Sequence, residues 1–154
     1  MKNMYTFVKA AFVALVVMAA PGCKWFSGCT SCTTSSATQT GLKEISADEL
    51  KAKMASTVGL MVINVLSADN YKDCHIAGSL SVPMADLEKA CETWDKNQEI
   101  VTYCAKTDCP ASKEAQQLLQ SKGFTNVAHF PGGSKEWKHK GYPTEGDCKA
   151  EYLK

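Results

Sequence analysis

The stretch Ile100-Val101-Thr102-Tyr103-Cys104-Ala105-Lys106-Thr107-Asp108-Cys109-Pro110 decides the fold. Its first four residues are β-branched or aromatic, which predicts a short buried strand over 100–103. Pro110 suits the first turn of a helix predicted to run to Lys122, and Gly123 suits the C′ position after it. Ala111, Ala115, Leu118 and Leu119 would face the sheet from that helix. Cys104 thus ends a strand and opens a tight loop before a helix N-terminus. In open α/β sheets, ligands collect at such carboxyl ends of strands.

Working outward, the same alternation recurs. Leu42–Ile45 is compatible with a short strand. Ser46 and Glu49 form a capping-box pattern for a helix to about Met54. Leu60–Leu66 is a continuous apolar run, as expected for a central parallel strand covered on both faces. A short helix is predicted over Ser67–Asp73, a strand over Ser79–Val82 and a helix over Met84–Trp94. A last strand follows over Asn126–Phe130, then Gly132-Gly133 and a short helix around Trp137. The pattern predicts a single α/β domain over 42–154, with a mostly parallel sheet flanked by helices on both faces.

The segment before this domain reads differently. Lys2 and Lys9 flank an acid-free start, and Ala10–Ala20 is an apolar run of 11 residues, too short to span a bilayer. Residues 1–22 therefore read as a signal peptide. Ala19-Ala20-Pro21-Gly22-Cys23 resembles a bacterial lipobox in which Cys23 is acylated, although Ala20 stands where leucine is usual; simple secretion is the alternative. Residues 23–41 are rich in Ser and Thr and read as a flexible tether. Cys29-Thr30-Ser31-Cys32 lies in it without a second ligand pair, so a local disulfide or exposed thiol pair is expected rather than a metal site. The expected location is the cell envelope, lipid-anchored and facing the periplasm, or else secreted. Eight cysteines agree with export.

Charge excludes several functions. The formal net charge is +1, which offers nothing to nucleic acid. All 17 basic residues are lysine. Chemistry that needs a guanidinium fork to hold an anion bidentately is therefore closed to this chain.

Two effects are expected to favour a thiolate at Cys104. A tight loop turns backbone N–H groups inward as an anion nest, and the helix dipole places positive charge at its N-terminus. Lys106 would add a cation. Together they predict a lowered thiol pKa and a nucleophile. The alternative is a small buried hydrophobe at a strand end.

Val62-Ile63-Asn64-Val65, His75-Ile76-Ala77-Gly78-Ser79, Val101-Thr102-Tyr103-Cys104, Gly123-Phe124-Thr125-Asn126-Val127 and Pro131-Gly132-Gly133 with Trp137 together resemble the rhodanese-like domain over about residues 42–143. The resemblance implies a sulfurtransferase. Cys104 would take a sulfane sulfur as a persulfide from a polysulfide, persulfide or thiosulfate donor and pass it to a thiol or other nucleophilic acceptor. Ala105, Lys106, Thr107, Asp108 and Cys109 would cradle the persulfide and the donor anion. No cofactor or metal is implied. The chain departs from the family at Asn64 and Leu66, where Asp and Arg are common, so a supporting ion pair is lost. Its loop ends in Cys109-Pro110 instead of an arginine, which makes phosphatase chemistry unfavourable and weakens the case for thiosulfate. Similar domains carry a cysteine at this loop position before Pro-Ala-Ser, so Cys109 reads either as a resolving thiol or as a residue packed under the loop. Rival readings are a thiol-disulfide redox protein using Cys104 and Cys109, and a non-catalytic binding module.

The remaining candidates are structural. His75 sits in a stretch that forms a turn in the resembling family. His129 and His139 have no partner motif. Trp94 and Trp137 read as core. Cys74, Cys91 and Cys148 cannot be paired from sequence.

Overall fold

The computed structural model describes residues 41–154. The expected leader, tether, Cys23 and the Cys29/Cys32 pair lie outside the described residues.

Four parallel strands form the main sheet: β1 (Met61–Asn64), β3 (Leu80–Ser81), β4 (Ile100–Tyr103) and β5 (Val127–Phe130), in the order β3-β1-β4-β5. A smaller antiparallel pair, β2 (His75–Ile76) with β6 (Thr144–Glu145), flanks it. The helices are α1 (Ala47–Ser56), α2 (Ala68–Asp73), α3 (Met84–Ala90), α4 (Ala111–Ser121) and α5 (Gly133–His139), with 3-10 turns at Cys91–Thr93 and Glu151–Leu153.

The pleat sends alternate side chains to opposite faces, and each face builds its own core. Val62, Val101, Tyr103, Ala128 and Phe130 pack with Leu50 of α1 and Trp137 of α5. Ile63, Val65, Ile100 and Val127 pack with Leu87 of α3 and Ala115 and Leu119 of α4. Both faces are covered, so the strands are mostly apolar, as the run at residues 60–66 suggests, although Asn64, Thr102 and His129 are buried polar residues within them.

Local signals explain the element ends. Ser46 and Glu49 make the expected capping box, the Ser46 N–H donating to the Glu49 carboxylate at 2.9 Å. β1 is shorter than its apolar run because the Asn64 side-chain oxygen accepts from the Leu66 N–H at 2.9 Å and turns the chain. The helix predicted over Met84–Trp94 tightens into a 3-10 turn at Cys91. Residues 42–45 do not form a strand. Glu44 makes only an isolated parallel bridge to His129.

Two devices hold the chain around the carboxyl end of β4. The first is Gly133, at φ +62°, where an added Cβ would lie 2.5 Å from the Cys104 carbonyl oxygen and 2.6 Å from the Ala105 carbonyl carbon. Only glycine lets α5 approach the backbone of the 104–105 loop this closely. The second is a disulfide between Cys74 and Cys148, which the sequence could not pair. It bonds residues 74 apart in sequence and ties the C-terminal segment to the end of α2. Asp73 reinforces it: its carboxylate accepts from the Lys149 and Ala150 N–H groups at 3.1 and 3.0 Å.

Two outcomes follow for stability. Replacing Cys74 and Cys148 by serine should remove about 4 kcal/mol, the loop-closure entropy of a bridge of this span, read as a fall in melting temperature. Gly133→Ala should destabilise by about 2–4 kcal/mol through strained φ and backbone overlap. A melting temperature unchanged in G133A would show that α5 does not need this approach.

Candidate active site around Cys104

Cys104 is 0% exposed and lies just past β4. Two N–H groups from α5 hold the backbone beside it: Ser134 donates to the Cys104 carbonyl at 3.0 Å and Lys135 to the Ala105 carbonyl at 2.9 Å. The loop is closed by the Cys109 N–H donating to the Lys106 carbonyl at 3.0 Å. The start of α4 supplies Ser112, which is buried.

The surroundings of the sulfur correct one expectation. Cys104 Sγ faces the carbonyl oxygens of Cys109 at 3.3 Å and Lys106 at 3.7 Å, and the Ser112 hydroxyl at 3.6 Å. Carbonyl oxygens favour a protonated thiol that donates to them. Burial, and after it the adjoining Cys109 thiol, push the Cys104 thiol up from its ordinary value; the Ser112 hydroxyl and N–H pull the other way and are outweighed. The expected lowering therefore fails, because desolvation exceeds what one helix N-terminus returns. Lys106 does not compensate: it is exposed and its ammonium points 3.9 Å from Asp108. Burial and the facing carbonyls therefore favour the neutral form of the Cys104 thiol.

The remaining predicted residues form the rim. Ala105 is half-buried, Lys106, Thr107 and Asp108 are exposed, and Cys109 is half-buried. Cys91, Cys104 and Cys109 are the free cysteines among the described residues. Cys91 lies in the α3-side core, in the same apolar cluster as Cys104. Cys109 and Ser112, both neighbours of the Cys104 sulfur, line a groove of about 430 Å³ that opens to solvent. A larger groove, about 530 Å³, lies at the amino ends of β4 and β5 and contains no thiol.

Asn64 occupies the position where the acidic residue was expected to be missing. It is buried, and its amide nitrogen has no hydrogen-bond partner among the described residues. Beside it, the Tyr103 hydroxyl accepts from the Ile76 N–H at 3.1 Å and bonds the Ser79 hydroxyl at 2.7 Å. Burial pushes the Tyr103 phenol up to about 12. The predicted structural role of His75 holds: Nδ1 lies 2.7 Å from the Tyr71 carbonyl and its ring stacks on Tyr71 at 3.8 Å.

Two more side chains stand out: His129, set aside in the sequence for want of a partner motif, and Tyr152, not named there. His129 is 3% exposed, with Nδ1 2.7 Å from Gln116 Oε1 and Nε2 3.5 Å from Glu44. A signal for it existed. Gln116 sits in the buried row of α4 with Ser112, Ala115 and Leu119, and a polar residue on a buried face needs a partner. The Tyr152 hydroxyl is buried without a hydrogen-bond partner among the described residues. Burial, then the negative charge of Asp73, push its phenol up.

Comparison with known proteins agrees with this architecture. The family profile described as "Rhodanese-like domain" matches residues 46–140. Thiosulfate sulfurtransferase GlpE of Coxiella burnetii is 32% identical over 51% of this chain and 72% of its own length. YrkF of Bacillus subtilis, named as a candidate sulfur carrier protein, is 27% identical over 69% of this chain; the match spans 56% of YrkF, little more than half of it. Among solved structures, the BH2092 protein of Bacillus halodurans superposes with a TM-score of 0.65 at 27% identity, covering 71% of this chain and 82% of that one. The Alr3790 protein of Anabaena gives 0.60 at 31% identity, covering 66% and 80%. The profile match spans most of the chain and the topology is shared with these structures, so the chain belongs to the rhodanese-like domain family.

Proposed function

We propose that this protein is a sulfurtransferase that carries a sulfane sulfur as a persulfide on Cys104 and delivers it to a thiol acceptor. The observation that carries the reading is a thiol at the carboxyl end of the central strand of a rhodanese-like domain, enclosed by a loop that closes on a helix start. The donor brings an S–S bond. Cys104 sulfur attacks the sulfane sulfur, that bond breaks, and the donor's remaining fragment leaves with the electron pair. The thiol proton passes to the medium or the leaving fragment. Polysulfide or persulfide donors suit the site better than thiosulfate. The Ala105–Cys109 rim has one cation, Lys106, which is a point charge already paired with Asp108.

Cys109 supports a second step. It adjoins Cys104, and its thiolate can attack the Cys104 sulfur of the persulfide, forming a Cys104–Cys109 disulfide and expelling hydrosulfide. An external thiol then restores the pair. The same proximity favours the runner-up reading, a thiol-disulfide redox protein in which that disulfide is the functional state. In a binding module, Cys104→Ser would leave the function intact.

We further propose an exported protein anchored by acylated Cys23 and facing the periplasm. The Cys74–Cys148 disulfide is in keeping with an oxidising compartment.

Incubation with polysulfide followed by intact-mass measurement should add one sulfur atom to the wild type and none to Cys104→Ala. An unloaded wild type, under conditions that load a control rhodanese, rejects the sulfurtransferase reading. Cys109→Ala should load yet release hydrosulfide at least about tenfold more slowly when no external thiol is present. The raised Cys104 pKa means less thiolate at neutral pH, so alkylation mapped by peptide mass should mark Cys109 before Cys104. The Cys104 rate should climb only as pH passes above the ordinary thiol range. Preferential alkylation of Cys104 at neutral pH would contradict the buried neutral thiol.

A further inference from the structure

The groove beside Cys109 contains a second reactive group, His129, that the persulfide step does not use. Its walls include Glu44, Asp108, Cys109, Ser112, Lys113 and His129. The imidazole's tautomer follows from its neighbours. Gln116 commits its amide nitrogen to two carbonyls, Lys43 at 3.1 Å and Val127 at 3.0 Å, so its Oε1 is the atom facing His129. His129 Nδ1 must therefore carry the hydrogen, which leaves the lone pair on Nε2. Nε2 points toward Glu44, a wall of the groove, at 3.5 Å. Two acceptors face each other there, an arrangement that is satisfied when a proton comes between them.

We propose that this groove is the entry site of the acceptor thiol and that His129 is its general base, with Glu44 stabilising the imidazolium that forms. This deepens the sulfurtransferase reading and rests on it. Nε2 takes the acceptor's S–H proton. The resulting thiolate attacks the outer sulfur of protonated Cys104 persulfide, and the bond from Sγ to that sulfur breaks. Its electron pair stays on Cys104, whose thiolate takes a proton from the medium while the imidazolium gives its own back. One thiol and one persulfide exchange a sulfur with no net oxidation. Burial, the largest influence on His129, favours its neutral form at rest, and Lys113 adds to this while Glu44 opposes it. The other ionisable groups facing the groove are Asp108 and Cys109.

The test separates the two half-reactions. Protein loaded with polysulfide is mixed with 2-mercaptoethanol or with sulfite, an acceptor that brings no S–H proton, and loss of the persulfide is timed. His129→Gln should slow transfer to 2-mercaptoethanol by about 100-fold and transfer to sulfite far less. Equal losses with both acceptors, or no loss with either, overturn the proposal. Glu44→Gln, an exposed substitution that leaves folding alone, should move the acidic limb of the 2-mercaptoethanol pH profile to lower pH, because removing a negative charge lowers the imidazole pKa. An unmoved limb overturns it. Wild type that never loads overturns the persulfide reading and this one together; loading with His129→Gln as fast as wild type in thiol transfer overturns this one alone.

Discussion

The contact between α5 and the Cys104 loop is the constraint on which the rest of the site depends. Ser134 and Lys135 donate their N–H groups to the carbonyls of Cys104 and Ala105, and Gly133 makes the approach possible by having no side chain. These bonds satisfy the loop's outward carbonyls. The inner carbonyls of Lys106 and Cys109 turn toward the sulfur. The same packing that places the thiol also encloses it and determines its protonation.

Enclosure explains why the electrostatics run against simple expectation. A helix N-terminus favours an anion, but its influence is of the order of 1 kcal/mol and fades beyond the first turn. Removing a charge from water in a buried site opposes it with a larger free energy. Without an arginine in the chain, no strong cation restores the balance at Cys104. The neighbours of the sulfur are therefore Ser112 from α4 and Cys109 from the loop. Each comes from a different element, and the parallel sheet brings their carboxyl-end loops together.

The domain rests on two separate apolar layers, and the sequence conveys both through simple periodicity. Strand β4, helix α4 and the capping box at Ser46 could be placed from local chemistry alone, because each depends on residues within a few positions. The short antiparallel pair β2/β6 could not. Its strands are two residues long and lie 68 positions apart, so no local pattern marks them. The disulfide between Cys74 and Cys148 was equally hidden, since spacing does not select a partner from eight cysteines.

Sequence by itself determined the α/β alternation, the single domain, the position of Cys104 at a strand end and the lack of any guanidinium. These follow from residue type and nearest-neighbour preferences. Tertiary structure alone decided the burial of Cys104, the pairing of Gln116 with His129 and the bridge that ties the C-terminal segment to α2. Each is a property of distance and desolvation between residues far apart in the chain. Those quantities come into being only when the two cores close around the sheet.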